Sequence, residues 1–174
     1  MTTLLFIPGS LRAASSSRAT VRALADRLTP EVACDVADPG ALPHYNADIE
    51  NDPAVARLNA QIAAADGVVF VTPEYNFGIP GVLKNAIDWA SRPAFAAPLT
   101  HKPCMVISVS GGALGGVRAQ AQLKYVLNGM LAKLFVGPEI VIPQANAKVS
   151  DGLLTDETIL AFCEENIGNF IASF

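Results

Sequence analysis

A three-layer α/β fold, with a five-stranded parallel sheet covered by helices on both faces, is what this sequence predicts. Three observations carry the prediction. Five short runs rich in β-branched residues begin at residues 3, 32, 67, 103 and 134, spaced by roughly 30 residues or more, the length of a strand–helix unit. The runs are near-continuously apolar rather than alternating, as strands buried on both faces are. Amphipathic helical patterns fill most of the intervals.

The elements follow in order. "TLLFI" (3–7) is the first strand, and "SRATVRALADRL" (17–28) the first helix, with Ala19, Val21, Leu24, Ala25 and Leu28 on one side. "VACDV" (32–36) is the second strand. Asp52 as N-cap and Pro53 at the first helical position open "AVARLNAQIAAA". The third strand, "GVVFV" (67–71), leads to a helix from Pro80 to Ala90. The fourth, "PCMVISVS" (103–110), leads to a longer helix over "GVRAQAQLKYVLNGMLAKL" (116–134). "LFVGPEIVI" (134–142) is the fifth strand. A last helix starts at Thr155, with Asp156 and Glu157 at the positive end of its dipole. Segments 37–52 and 143–154 read as surface loops rather than linkers, so residues 1–174 are expected to form a single domain.

Composition excludes several classes. A chain of 174 residues buries roughly 70% of its unfolded surface and needs no covalent staples. Apolar residues make up 51% and charged residues 16%, with a net charge of −4 and a pI of about 5.1. No run of Lys or Arg exists, which argues against nucleic acid as a partner. Cys34, Cys104 and Cys163 are far apart and form no C-x-x-C pair or Cys/His cluster, so no metal site is expected. They read as buried or half-buried thiols of a reducing compartment. The N-terminus has no basic n-region, and no apolar run approaches the ~20 residues of a membrane span. A cytoplasmic protein with no membrane partner is the expectation.

Ligands of open parallel sheets bind beyond the carboxyl ends of the strands, where the strand order reverses. With order 2-1-3-4-5, that point gathers the loops after strands 1, 3 and 4. Those loops read "PGSLRAASSS" (8–17), "TPEYNFGIPG" (72–81) and "SGGALGG" (110–116). In the first, Gly9 permits a tight turn, Ser10 and Ser15 to Ser17 offer hydroxyls, and Arg12 offers a guanidinium fork beside a helix N-terminus. The set suits a phosphate monoester; the plainer alternative is that the serines cap the helix and Arg12 is solvated. It is no nucleotide P-loop, since G-x-x-x-x-G-K-[ST] is missing, and "SGGALGG" is no dinucleotide fingerprint. Four glycines in that loop fit either a wall approached closely by a ligand or a flexible turn. Pro73 and Pro80 stiffen the remaining loop, while Tyr75 and Asn76 suit either recognition of a flat heteroaromatic ring or a packed ring and an Asx-turn.

"GSLRAASSS", "TPEYNFGIPGVLKNAIDWASR" and "SGGALGGVRAQAQL" together resemble the NADPH-dependent FMN reductase family, which includes bacterial quinone and chromate reductases; the likeness runs from about Ile7 to Lys148. The resemblance implies a flavodoxin-like fold, noncovalent FMN, and hydride passage from NADPH or NADH through the flavin to a quinone or similar small acceptor. It also implies a homodimer or homotetramer. By position, Ser10, Arg12, Ser15, Ser16 and Ser17 would hold the phosphate and ribityl chain. Pro73, Glu74, Tyr75 and Asn76 would meet the isoalloxazine, with Ser110 and Gly111 on its other side. Arg118 matches an arginine near the family's subunit interface, with Glu139 its candidate partner. Two residues depart from the family pattern: Ser17 and Gly78 stand where Asn and Ser are common.

The redox chemistry in such a protein belongs to the cofactor, so no obligatory acid or base is expected from the chain. His44 and His101 lie in polar loops, Lys84 and Asp88 form an exposed i, i+4 pair, Trp89 belongs to core or interface, and Met105 and Met130 are core fillers. A flavodoxin-type electron carrier is the alternative on the same fold, although the T-G-x-T-like loop of flavodoxins is missing. A non-catalytic phospholigand module is the third reading.

Overall fold

The structure, a computed structural model, describes residues 1–174. The chain runs β1 (Thr2–Pro8), α1 (Ser16–Leu28), β2 (Val32–Val36), α2 (Pro53–Ala64), β3 (Gly67–Thr72), α3 (Gly81–Ala90), β4 (Pro103–Val109) and α4 (Val117–Gly129). It continues through β5 (Lys133–Leu134), β6 (Ile140–Ile142), β7 (Val149–Ser150), β8 (Leu153–Leu154) and α5 (Glu157–Ile171). The main sheet has the order β2-β1-β3-β4-β5, with β6 also paired to β4, and its pairings are parallel. That is the predicted order.

Side chains of a strand point alternately to opposite faces, and here both faces are covered. Leu4 and Phe6 of β1, Val69 and Val71 of β3, and Met105 and Ile107 of β4 pack with Leu24 of α1 and Ile167 of α5. Their neighbours Leu5, Ile7, Val68, Phe70 and Val106 face the other way and pack with Ile62 of α2, Ile87 of α3 and Leu123 of α4. This is why β1, β3 and β4 read as unbroken apolar runs. β2 lies at the edge, and its second half is exposed.

Caps set several helix starts. The Asp52 carboxylate accepts hydrogen bonds from the N–H groups of Ala54 and Val55 at 2.9 and 3.1 Å, with Pro53 following as predicted. The last helix begins at Glu157 rather than at Thr155: Asp156 is the N-cap and accepts from Ile159 N–H at 3.1 Å, while the Thr155 hydroxyl donates to Lys148 O.

Three expectations need correction. The fourth helix ends at Gly129 rather than reaching residue 134, because glycine is a weak helix former and Leu131 takes a left-handed φ of 59°. Lys133 and Leu134 then join the sheet. The fifth strand is split. β5 pairs with the start of β4 and β6 with its end, and Gly137–Pro138 lies between them, since proline cannot donate to a strand ladder. Segment 143–154 is more than a surface loop: it holds a 3₁₀ turn (Ala145–Lys148) and the antiparallel pair β7–β8. Ala145 is fully buried in it, and the turn is pinned by N–H bonds from Gln144 to Gly112 O and from Ala145 to Ser110 O.

Several single-residue readings hold. Cys104 and Cys163 are buried and Cys34 half-buried, all as free thiols; burial pushes Cys104 and Cys163 up to about 12. Trp89 is buried and donates to Pro43 O at 2.8 Å, and Lys84 pairs with Asp88 at 2.6 Å. No helix is long and apolar enough to cross a membrane.

Candidate functional site

The loop between β1 and α1 turns directly beneath the loop that leaves β3. Gly9 makes this possible, because a Cβ there would fall 2.9 Å from Cδ of Pro73. Gly9 N–H bonds Val71 O at 2.8 Å, which fixes the crossing. Ser15 is the N-cap of α1, and its hydroxyl accepts from Arg18 N–H at 3.1 Å. The N–H groups of Ser16 and Ser17 open the helix with no acceptor from the protein, and the first turn carries no acid. Free N–H groups at the positive end of a helix are a site for an anion. Arg12 stands exposed beside them and makes no ion pair. The Arg18 guanidinium holds the same loop from below, donating to Ser10 O at 2.8 Å and approaching Asp38 at 3.6 Å.

The loop after β3 is a rigid turn. Tyr75 and Gly78 exchange both backbone hydrogen bonds, at 3.0 and 3.1 Å, with Asn76 (φ 50°) and Phe77 (φ 67°) both left-handed at the tip. That is the geometry of a primed two-residue hairpin turn. The Tyr75 hydroxyl lies 3.2 Å from Ser10 Oγ and ties the two loops together. Glu74 turns its side chain toward α4. Its carboxylate accepts from the N–H groups of Arg118 and Ala119 at 3.0 and 3.2 Å, at the start of α4. Arg118 also pairs with Glu74 at 3.4 Å, while Glu139 pairs with Lys124 at 2.7 Å, so Glu139 is not the partner of Arg118 within the chain.

The third wall comes from the end of β4. Ser110 Oγ accepts from Gly112 N–H at 3.1 Å, and Ser110 N–H bonds Ile142 O at 3.0 Å. Gly111 leaves room for Asn146, whose Nδ2 would lie 2.6 Å from a Cβ at position 111. Asn146 Oδ1 in turn accepts from the Ser16 hydroxyl at 3.1 Å, joining the 3₁₀ turn to α1.

These segments enclose one cleft of about 180 Å³. Ser10, Arg12, Ser15, Ser16, Ser17, Pro73, Glu74, Tyr75, Ser110 and Gly111 all line it; Asn76, of the predicted set, does not. Asn76 is instead exposed at the turn tip. Val109 and Asn146 line it without having been predicted. Only two of the twelve lining residues are hydrophobic, so the enclosed part suits a phosphate and a polyol chain, with a flat ring toward the Tyr75 rim. Free N–H groups, five serine hydroxyls and an unpaired guanidinium are the donors that a phosphorylated flavin requires. The residues present fit FMN.

The strand order, the anion site on α1 and the rigid turn at the reversal point define a doubly wound, flavodoxin-like α/β protein built for a phosphorylated planar ligand. The family is equally definite. Residues 2–147 match the model of the NADPH-dependent FMN reductase family, and the chain belongs to it. It is 40% identical over 158 residues to an NAD(P)H-dependent FMN reductase of Pseudomonas aeruginosa, covering 88% of this chain and 85% of that one. It is 37% identical to a 2-hydroxy-1,4-benzoquinone reductase of a Burkholderia species, covering 95% and 92%. Among solved structures, the flavoenzyme NAD(P)H:(acceptor) oxidoreductase FerB of Paracoccus denitrificans superposes with a TM-score of 0.89 at 35% identity, covering 99% of this chain and 96% of that one.

Proposed function

We propose that this protein is an FMN-dependent NAD(P)H oxidoreductase that reduces a quinone or similar small acceptor. The observation that carries the reading is the convergence of Ser10, Arg12 and Ser15 to Ser17 with Tyr75, Ser110 and Gly111 in one cleft at the N-terminus of α1. The relatives' names support both the nicotinamide donor and the quinone. In this reading, Arg12, the Ser15–Ser17 hydroxyls and the first N–H groups of α1 hold the phosphate. Ser10 and Ser110 lie along the ribityl chain, and the Pro73–Asn76 backbone and Tyr75 border the ring with Gly111 opposite. FMN held there would supply the redox chemistry for hydride transfer between NADPH or NADH and the acceptor. The chain's own part is positional: it binds the phosphate and presents fixed backbone dipoles to the ring, the kind of preorganisation that stabilises charge as it develops.

The reading extends to the whole chain as one domain in the cytoplasm, consistent with its three free thiols. It extends also to a homodimer or homotetramer, for which the exposed aromatics Phe77, Phe95 and Tyr125 provide apolar surface. The test is direct. The purified protein, loaded with FMN, should be bleached anaerobically by NADPH or NADH and should recolour on adding benzoquinone. A protein that binds FMN but is bleached by neither nicotinamide is a carrier, and one that binds no FMN is neither.

A further inference from the structure

We propose that Glu74 is a positioning residue for the ring-binding turn rather than a ligand of the flavin, an inference that rests on the FMN reading of the cleft. α4 begins at Gly116 (φ 87°), which has no side chain with which to cap it. Glu74 supplies the cap from the loop after β3. Its Oε2 accepts from Arg118 N–H at 3.0 Å and from Ala119 N–H at 3.2 Å, and its Oε1 accepts from Arg118 Nη1 at 3.4 Å. The side chain is 13% exposed, and a carboxylate is favoured at the positive end of a helix.

The same helix grips the turn twice more. The Arg118 guanidinium stands 4.8 Å over the Phe77 ring. Gln122, one helical turn further on, accepts from Ile79 N–H at 2.7 Å through its Oε1. The first two turns of α4 therefore hold Glu74, Phe77 and Ile79, which span the Tyr75–Gly78 turn from end to end. That turn needs holding. Asn76 and Phe77 are both left-handed without being glycine, and Phe77 is 73% exposed, so no packing of its own ring in the core secures it. Conformations of this kind persist where the surroundings over-determine them. Gly78 completes the fit, because a Cβ there would fall 2.7 Å from Gln122 Oε1. The family's common Ser would meet that same amide oxygen. Through these contacts α4 shapes the ring site before a flavin arrives, while the phosphate site is shaped separately by α1.

The separation of the two sites gives the test: titration of the apoprotein with FMN and with riboflavin, which lacks the phosphate, by flavin fluorescence. In Glu74→Ala both dissociation constants should rise together with their ratio unchanged, by about fivefold when the stability typically lost with a helix cap passes to the binding equilibrium. Glu74→Gln should recover most of the affinity, since its amide oxygen can accept the same two N–H bonds. Gln122→Ala, which leaves the cap intact, should weaken both flavins in the same proportion, and it decides between the outcomes if Glu74→Ala does not fold. Arg12→Ala should instead collapse the ratio by weakening FMN alone. The proposal is overturned if Glu74→Ala or Gln122→Ala lowers the melting temperature but leaves both constants and the bound-flavin absorption band unchanged. It is equally overturned if Glu74→Gln is as weak as Glu74→Ala, or if FMN alone is weakened. If the unaltered protein binds neither flavin, the FMN reading of the cleft fails instead.

Discussion

Arg12 illustrates what a single residue contributes. Its guanidinium is exposed and has no carboxylate partner, so its removal should change stability by less than about 0.5 kcal/mol. Its charge-assisted bonds to a phosphate would be worth about 1.5–3 kcal/mol. Arg12→Ala is therefore expected to melt as the parent does while binding FMN roughly ten- to hundredfold more weakly, measured by melting curve and fluorescence titration on the same samples. Residues whose own polar groups mark them were legible in the sequence: the hydroxyls of Ser10 and Ser15 to Ser17, the fork of Arg12 and the phenol of Tyr75 all line the cleft. Glu74 was legible as a residue of the cleft, but its bonds to N–H groups on a helix more than forty residues away were not. Asn146 was missed for a similar reason. Nothing in "PQANAKVS" announces that Gly111 leaves it room beside Ser16.

Elements were legible where a local signal marks their ends. Asp52–Pro53 opened α2 as expected, and the strand runs buried on both faces were found almost to the residue. The errors fell where tertiary pairing overrides local pattern: α4 stops at Gly129 so that Lys133 and Leu134 can pair with β4, and β5 and β6 share that same edge. The start of α5 yields a prediction about pH. The Lys148 ammonium, 2.8 Å away, and the N–H of Ile159 hold the Asp156 carboxyl below its ordinary value of 3.8. A depressed folded-state pKa contributes stability that is complete above the unfolded value and is lost as pH falls through the folded one. Asp156→Asn keeps a capping oxygen but loses the charge. Its urea midpoint should lie below the parent's at neutral pH, and the gap should close as the pH drops below 3.8. A gap that is constant through that range would remove the carboxylate's charge from the account.

At the scale of the molecule, order 2-1-3-4-5 places the loops after β1, β3 and β4 side by side, and this much followed from taking five parallel strands in the flavodoxin-like order. The sequence did not reveal a fourth participant, the 3₁₀ turn after β6, because that turn approaches the cleft only once β6 has paired with the far half of β4. The central claim is that segments distant along the chain form one cradle for FMN. Amide hydrogen exchange of the apoprotein with and without FMN tests it most directly. Protection should appear together in residues 9–18, 73–79, 110–112 and 144–147, and elsewhere exchange should change little. Protection confined to one of these segments, or centred on the opposite end of the sheet, would contradict it.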